Sequence, residues 1–487
     1  MKARLFGNKI TKILQGSTLK RGVATLEILI AFAILTLSLS AVILVVFGNQ
    51  TVATDTQTNN EAIYKAKEYI ESARARAYQD FNAVVSVGHT QDDIYQKSLT
   101  VEQIHTDIKK VTSTVSWPSQ GRILSVVLTT LISNPTSQNK CSTSVSGDWS
   151  APQIYGYADF AGSAGATGVD AQDGKAYVTS DPNSAGSDDF YILDTSGAGP
   201  GAGSLPVLGK FSTSYGLTDV SMAGMYAYVT AHSASNQLLV IDVSDPVSLK
   251  AASIKAKRDV TRGGDTAYGN TLFYANKKIY VGLTISAGTE LHIFDVSDPI
   301  NPVELGPGYE VGASVNDIIV KNNIAYLATA ARNEIITLDV SDPAHLVLMG
   351  TYQSPTLTGQ SLALSSNNFL YFGRIGGIGN PKLLAFGQED LSVPRWTMHM
   401  SAQSGVYSML LRSGLLFITT ADPNDGLQIW DVSHASARVQ PVRFDSAPLN
   451  VQQAAPAGTD CYGNLLYVAQ RSQRALQIIG PGDSPGN

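Results

Sequence analysis

The sequence predicts a multidomain chain: a long N-terminal α-helix with a small α+β head, then an all-β ring of seven repeated units. Three observations predict this. Residues 28–47 form a run without a single charge, behind a basic leader. A helical stripe continues beyond that run and gives way to strand-like alternation near residue 94. From residue 153 onward, an apolar run closed by Asp recurs to the end of the chain.

The leader carries Lys2, Arg4, Lys9, Lys12, Lys20 and Arg21 and no acid. The 487-residue chain has a net charge of −6, so the remainder carries −12, which argues against nucleic acid as a partner. With 43 Gly, 20 Pro and 21 Tyr and only 15% charged residues, the composition suits a turn-rich extracellular β protein and excludes a disordered or coiled-coil chain. The run at residues 28–47 is about 30 Å long as a helix, the thickness of a bilayer core. Glu27 sits at its mouth, where an unpaired carboxylate is costly in lipid and therefore marks a functional position.

An ordinary secretory signal places its small residues after the apolar core. Here Gly22 precedes it, in Arg21-Gly22-Val23-Ala24-Thr25-Leu26-Glu27. This segment resembles the class III signal peptide of type IV pilins and of the pseudopilins of type II secretion. The resemblance implies that a prepilin peptidase cuts between Gly22 and Val23, that Val23 is N-methylated, and that Glu27 becomes the fifth mature residue. The family more often begins with Phe, so Val23 departs from its pattern. Within a filament, Glu27 would pair with the free amine of a neighbouring subunit, offsetting the cost of burial. A plain membrane anchor is the simpler alternative.

The helix is expected from Val23 to about Tyr78. Ile63, Ala66, Ile70, Ala73 and Ala77 recur at three- and four-residue steps. Glu61 with Lys65, and Lys67 with Glu71, support its wet face at i, i+4 spacing. Residues 110–117 and 123–132 read as a hairpin about the turn 118–121, similar to the second half of a minor pilin. Residues 134–150, rich in Ser, Thr, Asn and Gly, read as a linker.

The repeats begin after that linker. Leu239-Val240-Ile241-Asp242-Val243-Ser244-Asp245-Pro246 is one copy of the closing motif, and Asp295 and Asp339 close two more. Degenerate copies end at Asp194 and Asp431. An aromatic strand precedes each, marked by Tyr177, Tyr228, Tyr280, Tyr326, Tyr371, Phe417 and Tyr467. Four short strands per unit at a step near 50 residues is the signature of a β-propeller blade. The repeat resembles the LVIVD family, named for this motif, which implies a propeller. The Asp and Ser of the motif suit a turn that satisfies its own backbone, with a calcium site as the sharper alternative. The seventh unit runs out after Ile479 without an outer strand, and residues 153–157 look like a stray one that completes it, tying the ring shut. Cys141 and Cys461 are the only cysteines; a disulfide between them would pin the linker to the ring, and two free thiols are the other reading.

No nucleophile elbow, zinc-protease, Cys-x-x-Cys or phosphate-loop motif occurs, and the chain reads as a non-enzyme with no cofactor and no metal site. Loops between the two middle strands of a blade share one propeller face with loops leading into the innermost strands. That face would carry Asp188, Asp189, Arg258, Arg262, Arg332, Arg374, Asp422 and Arg471, along with Asp181, His232, Asp425 and Arg474. It is either a binding surface or a solvated rim.

The expected organisation is a prepilin leader at 1–22, a pilin-like helix and small sheet at 23–133, a linker at 134–150 and a seven-bladed LVIVD propeller at 151–487. The expected function is that of a minor pilin, at the tip or decorating the shaft, presenting the propeller for adhesion or ligand binding. The alternatives are a pseudopilin of a secretion or DNA-uptake machine and a membrane-anchored propeller enzyme. Implied partners are the prepilin peptidase, other pilin subunits through the N-terminal helix, the inner membrane before assembly, and a surface protein or glycan. Localisation would change from single-pass membrane protein to extracellular pilus.

Overall fold

The structure, a computed structural model, describes residues 17–482, apart from 80, 106–107, 120, 134–139, 142–144, 161–164, 182–186, 261–265, 355–357, 377–378, 401–404, 423–425, 434–441 and 448–455. The chain divides into two compact units, Met1–Ser133 and Asn134–Asn487.

The first unit holds the α-helix Ser17–Gln79 and a four-stranded antiparallel sheet. The strands follow in chain order: Val87–Asp92, Tyr95–His105, Ile108–Ser119 and Arg122–Ser133. Ala62, Ala66, Ile70, Ala73 and Ala77 are buried along one helix face. Their small side chains let the helix backbone approach Tyr95, Leu99, Val111, Val115 and Trp117 of the sheet. Lys109 is buried, and its ammonium donates to the carbonyl oxygens of Phe81 (2.7 Å) and Val84 (2.9 Å). Nearer the N-terminus, Leu29, Ile30, Phe32, Ile34, Leu35, Leu37, Leu39 and Val42 are all exposed, at 52–72% of their surface. Among the described residues no helix is long and apolar enough to cross a membrane.

The expected fold class, a multidomain chain led by a pilin-like α+β head, is corrected by this structure. The chain is nearly all β: eight four-stranded sheets carry it. The sheet of the first unit is a plain up-and-down meander of four strands, where the sequence suggested one hairpin. The two extra strands escape a periodicity reading because Thr90, Gln91, Asp92, Gln96 and Lys97 leave them little apolar alternation. That sheet order carries no mark of a pilin head.

The other seven sheets are blades. Blade 1 spans Ala166–Phe211 and blade 2 Leu217–Arg258; blades 3 to 6 begin at Gly269, Val315, Thr358 and Val406. Blade 7 joins Pro456–Tyr462, Leu465–Gln470 and Arg474–Gly482 to Asp148–Asp159, which comes from ahead of blade 1. The stray outer strand therefore completes the last blade, with Ile154 opposite Ile479 and Ala158 opposite Leu476. The innermost strands neighbour one another around the whole ring, blade 7 against blade 1 included. The two inner strands of each blade meet in tight turns. Asn276 with Lys277, and Asn322 with Asn323, have φ between 51° and 61°, the left-handed pair that a twisted two-residue hairpin requires.

Blades 1 to 4 are each fastened to the next from the innermost strand. Thr167 Oγ1 donates to Leu217 O (2.6 Å), Thr218 Oγ1 to Gly269 O (2.8 Å), Asn270 Nδ2 to Val315 O (2.7 Å) and Asn316 Nδ2 to Gly359 O (2.7 Å). Carboxylates, buried at Asp170 and Asp460 and half-buried at Asp219 and Asp317, repeat the link. Asp170 accepts from Met222 N (3.1 Å), Asp219 from Leu272 N (3.0 Å), Asp317 from Leu362 N (2.7 Å) and Asp460 from Ala171 N (2.6 Å). Burial pushes Asp219 and Asp460 up to about 6 and Asp317 up to about 7.

The segment ahead of the closing strand is part of this ring. Cys141 and Cys461 form a disulfide. Lys140 Nζ bridges Asp170 (2.9 Å) and Asp460 (2.6 Å), so one cation neutralises carboxylates from blades 1 and 7. Asn464 donates to Ser146 O (2.8 Å) and accepts from Ser146 N (3.3 Å). Residues 148–150, read as linker in the sequence, belong to the closing strand.

Candidate binding face of the propeller

The antiparallel order of each blade puts the loops between its second and third strands on one face. The loops leading into the next blade share that face. Backbone bonds tie the two sets together: His232 N to Gly216 O (2.9 Å), Thr284 N to Tyr268 O (2.9 Å) and Ala330 N to Ser314 O (2.9 Å).

A buried polar residue recurs at the head of the third strand, just before it at Asp189, Gln237, Glu290 and Lys382 and as its second residue at Glu334. The first three organise the next inter-blade loop. Asp189 accepts from Thr213 N (2.7 Å), Thr213 Oγ1 (2.6 Å) and Gly216 N (3.2 Å). Gln237 accepts from Val260 N (3.0 Å), and Glu290 from Val311 N (2.8 Å) and Gly312 N (3.0 Å). In blade 4 the same position, Glu334, pairs with Arg374 of blade 5. Arg374 lies over the rings of Tyr352 (5.3 Å) and Phe372 (5.7 Å). Burial raises the Asp189 and Glu334 carboxyls and, with the charge of Arg374, lowers the Lys382 ammonium.

The charges assigned to this face from the sequence therefore part company. Asp189 and Arg374 are buried and hold loops together. Arg258 donates from Nε to Pro302 O (2.9 Å) of blade 3 and from Nη1 to Lys257 O (2.9 Å), so it ties the edge of blade 2 to the next blade. Asp188 is paired with Lys210 (2.9 Å). Arg332 and Arg471 are exposed, and Asp422 is half-buried. Arg262 and Asp425 lie outside the described residues. Gly22, Val23 and Glu27 fall within the helix Ser17–Gln79, and their side chains are also outside the described set.

The structure instead gathers a mixed patch over blades 1 to 3. His232 Nδ1 lies 2.9 Å from Asp181 Oδ2, and its ring meets Tyr268 edge-on at 4.2 Å between centroids. Gly216, with φ +73°, permits the approach, since a Cβ there would overlap Asp181 Oδ1. Beside it, Lys257 Nζ donates to the Tyr215 hydroxyl (3.0 Å). His232 and Lys257 are exposed, and Asp181, Tyr215 and Tyr268 are half-buried. Half-buried tyrosines beside oriented donors and acceptors offer apolar area and hydrogen bonds at little entropic cost to a partner. Lys257 was passed over beside Arg258, and Tyr215 and Tyr268 escaped the sequence reading because it followed charge. Their signal was an aromatic residue within two positions of each of two innermost strands, Leu217–Ala223 and Gly269–Ala275.

On the opposite face the Asp of the repeat motif closes its own turn. Asp242 accepts from Ser244 N (3.0 Å) and Oγ (2.7 Å), and Asp194, Asp295, Asp339 and Asp431 accept from Ser196, Ser297, Ser341 and Ser433 in the same way. These bonds hold the turn that leads to the outer strand.

The LVIVD repeat is matched at residues 217–254 and 312–354, which fall on blades 2 and 4. The chain is thus a β-propeller carrying LVIVD repeats. No curated protein matches it. Among solved structures it is similar to a computationally designed protein, Ika8 (10% identity, TM-score 0.46, covering 67% of this chain and 99% of that one). It is also similar to BamB from Moraxella catarrhalis (13%, 0.40, 83% and 99%). A third is the periplasmic gluconolactonase PpgL of Pseudomonas aeruginosa (12%, 0.43, 72% and 97%). At these identities and scores, none of the three bears on what this chain binds.

Proposed function

We propose that the chain is a surface-displayed binding protein, a minor type IV pilin whose propeller takes a protein or glycan ligand through the patch around His232. One observation carries the binding role. Tyr215 and Tyr268 stand half-buried beside the paired polar groups Asp181, His232 and Lys257, on a face where Asp189, Glu290 and the Glu334–Arg374 pair are spent on the fold. Display rests on the sequence Gly22-Val23 with Glu27, and it fits the exposed apolar residues Leu29 to Val42, which need a cover of lipid or neighbouring helices. Prepilin peptidase and other pilin subunits are the partners this reading requires, and the inner membrane holds the chain before assembly.

The test is a glycan and protein array probed with the full chain and with two variants. His232→Ala combined with Tyr268→Ala should lose at least tenfold in signal on any specific ligand. Lys250→Ala, on the opposite face, should retain it. Equal signal from both variants would refute the assignment of the face. A Glu27→Ala chain that enters filaments at the normal level would refute the display role separately.

A further inference from the structure

Arg412 ends the innermost strand of blade 6 and is 4% exposed. Its Nη2 donates to Gly463 O (2.9 Å) and lies 3.4 Å from Asn464 Oδ1, both in the inner turn of blade 7. Nε and Nη1 are buried and without a partner among the described residues. No carboxylate of the described set forms an ion pair with it. The same inter-blade layer holds Trp149, a neighbour of Leu415, which faces Arg412 across the hairpin; the Trp149 Nε1 is a second buried donor without a partner.

A buried guanidinium with no counter-charge is among the costliest groups a fold can hold. Other enclosed cations of this chain have several acceptors: half-buried Lys140 meets two aspartates, Arg374 meets Glu334 and Lys109 meets the carbonyl oxygens of Phe81 and Val84. The surroundings of Arg412 are not left to chance. Gly463, whose oxygen receives Nη2, donates its own N–H to Lys140 O (3.0 Å), and Asn464 is held by Ser146. The blade 7 turn is therefore fixed from its far side by the disulfide-anchored segment, and the guanidinium is held with two donors free.

We propose that Arg412 forms a site for a weakly hydrated monovalent anion, chloride or bromide rather than the strongly hydrated fluoride, between blades 6 and 7. The anion would accept from Nε and Nη1 and neutralise the guanidinium at the seam where the ring closes. Burial alone lowers the Arg412 pKa, to about 10, with no carboxylate raising it, which agrees with a cation awaiting its counter-ion. A multivalent anion is less suited, since one guanidinium offers a single charge.

Thermal unfolding of the full chain in chloride or bromide, against fluoride at equal ionic strength, tests this. Chloride and bromide should raise the midpoint with a saturable dependence. Arg412→Gln should weaken that dependence at least tenfold in apparent affinity, and Arg412→Lys should keep part of it. An unfolding midpoint indifferent to the halide, or an undiminished halide response in Arg412→Gln, would overturn the proposal. Should Arg412→Gln fail to fold, bromide-soaked crystals of the wild type decide. An anomalous peak within hydrogen-bond distance of Nε or Nη1 supports the site, and a featureless map there overturns it.

Discussion

Asp317 offers the sharpest perturbation of the ring. Its carboxylate accepts from Ile318 N (2.8 Å) within blade 4 and from Leu362 N (2.7 Å) of blade 5. Burial is the largest influence on it and pushes its pKa up to about 7, outweighing both N–H bonds, with the charge of Asp219 adding to the rise. A carboxyl whose folded pKa exceeds its unfolded value, near 3.9, takes up a proton on folding between those two values. Its contribution is greatest below about pH 4 and is lost as pH rises through the folded pKa. At about 1.36 kcal/mol per pH unit, the gap from about 3.9 to about 7 is worth about 4 kcal/mol. In Asp317→Asn the amide oxygen keeps one acceptor and the linkage disappears. Urea unfolding of wild type and variant at pH 4.5 and pH 8 measures the difference directly. The variant should gain about 3–4 kcal/mol relative to wild type across that range. A stability difference that stays constant with pH, or that shifts toward the wild type at pH 8, would refute the reasoning.

Three further outcomes follow from the closure of the ring. Replacing Cys141 and Cys461 together by Ser releases a cross-link spanning 320 residues, and unfolding in denaturant should show a loss of about 2–5 kcal/mol. Lys140→Met leaves Asp170 and Asp460 facing each other; a loss of about 1–3 kcal/mol is expected at pH 8, shrinking toward pH 5 as Asp460 takes up a proton, and urea unfolding at the two pH values checks it. Gly209→Ala would drive a Cβ into the Pro246 carbonyl between blades 1 and 2 and should lower stability by about 1–3 kcal/mol, measured by thermal unfolding.

The propeller was legible because each blade repeats its strongest signal, an aromatic strand followed by an apolar run closed by Asp. The closing strand was legible because the seventh unit lacked one and residues 153–157 had no unit of their own. The face was harder to read. Asp189 and Arg374 look like loop charges in isolation, yet they belong to the polar position before the third strand and to its inter-blade partner. Comparing the residues just ahead of each apolar run, Asp189, Gln237, Glu290, Glu334 and Lys382, would have revealed that position. Lys140 could not be seen at all. Its partner Asp460 lies 320 residues away, and only the closed ring brings the two together. The half-buried Asp219 and Asp317 were missed for a related reason: a carboxylate in a short strand reads as a solvent-facing residue until the neighbouring blade partly covers it. In the first unit, the sheet was underestimated because its first strand is largely polar and the second shows its apolar face only at Tyr95, Leu99 and Val101.

The account stands on a ring closed by a strand drawn from ahead of the first blade and pinned there by Lys140 and the disulfide. Hydrogen exchange of the full chain, with and without reductant, tests it most directly. Amides of Asp148–Asp159 and Arg474–Gly482 should be protected together under oxidising conditions, and both should exchange faster once the disulfide is reduced. Rapid exchange of Asp148–Asp159 in the oxidised protein, while Arg474–Gly482 stays protected, would contradict the closure.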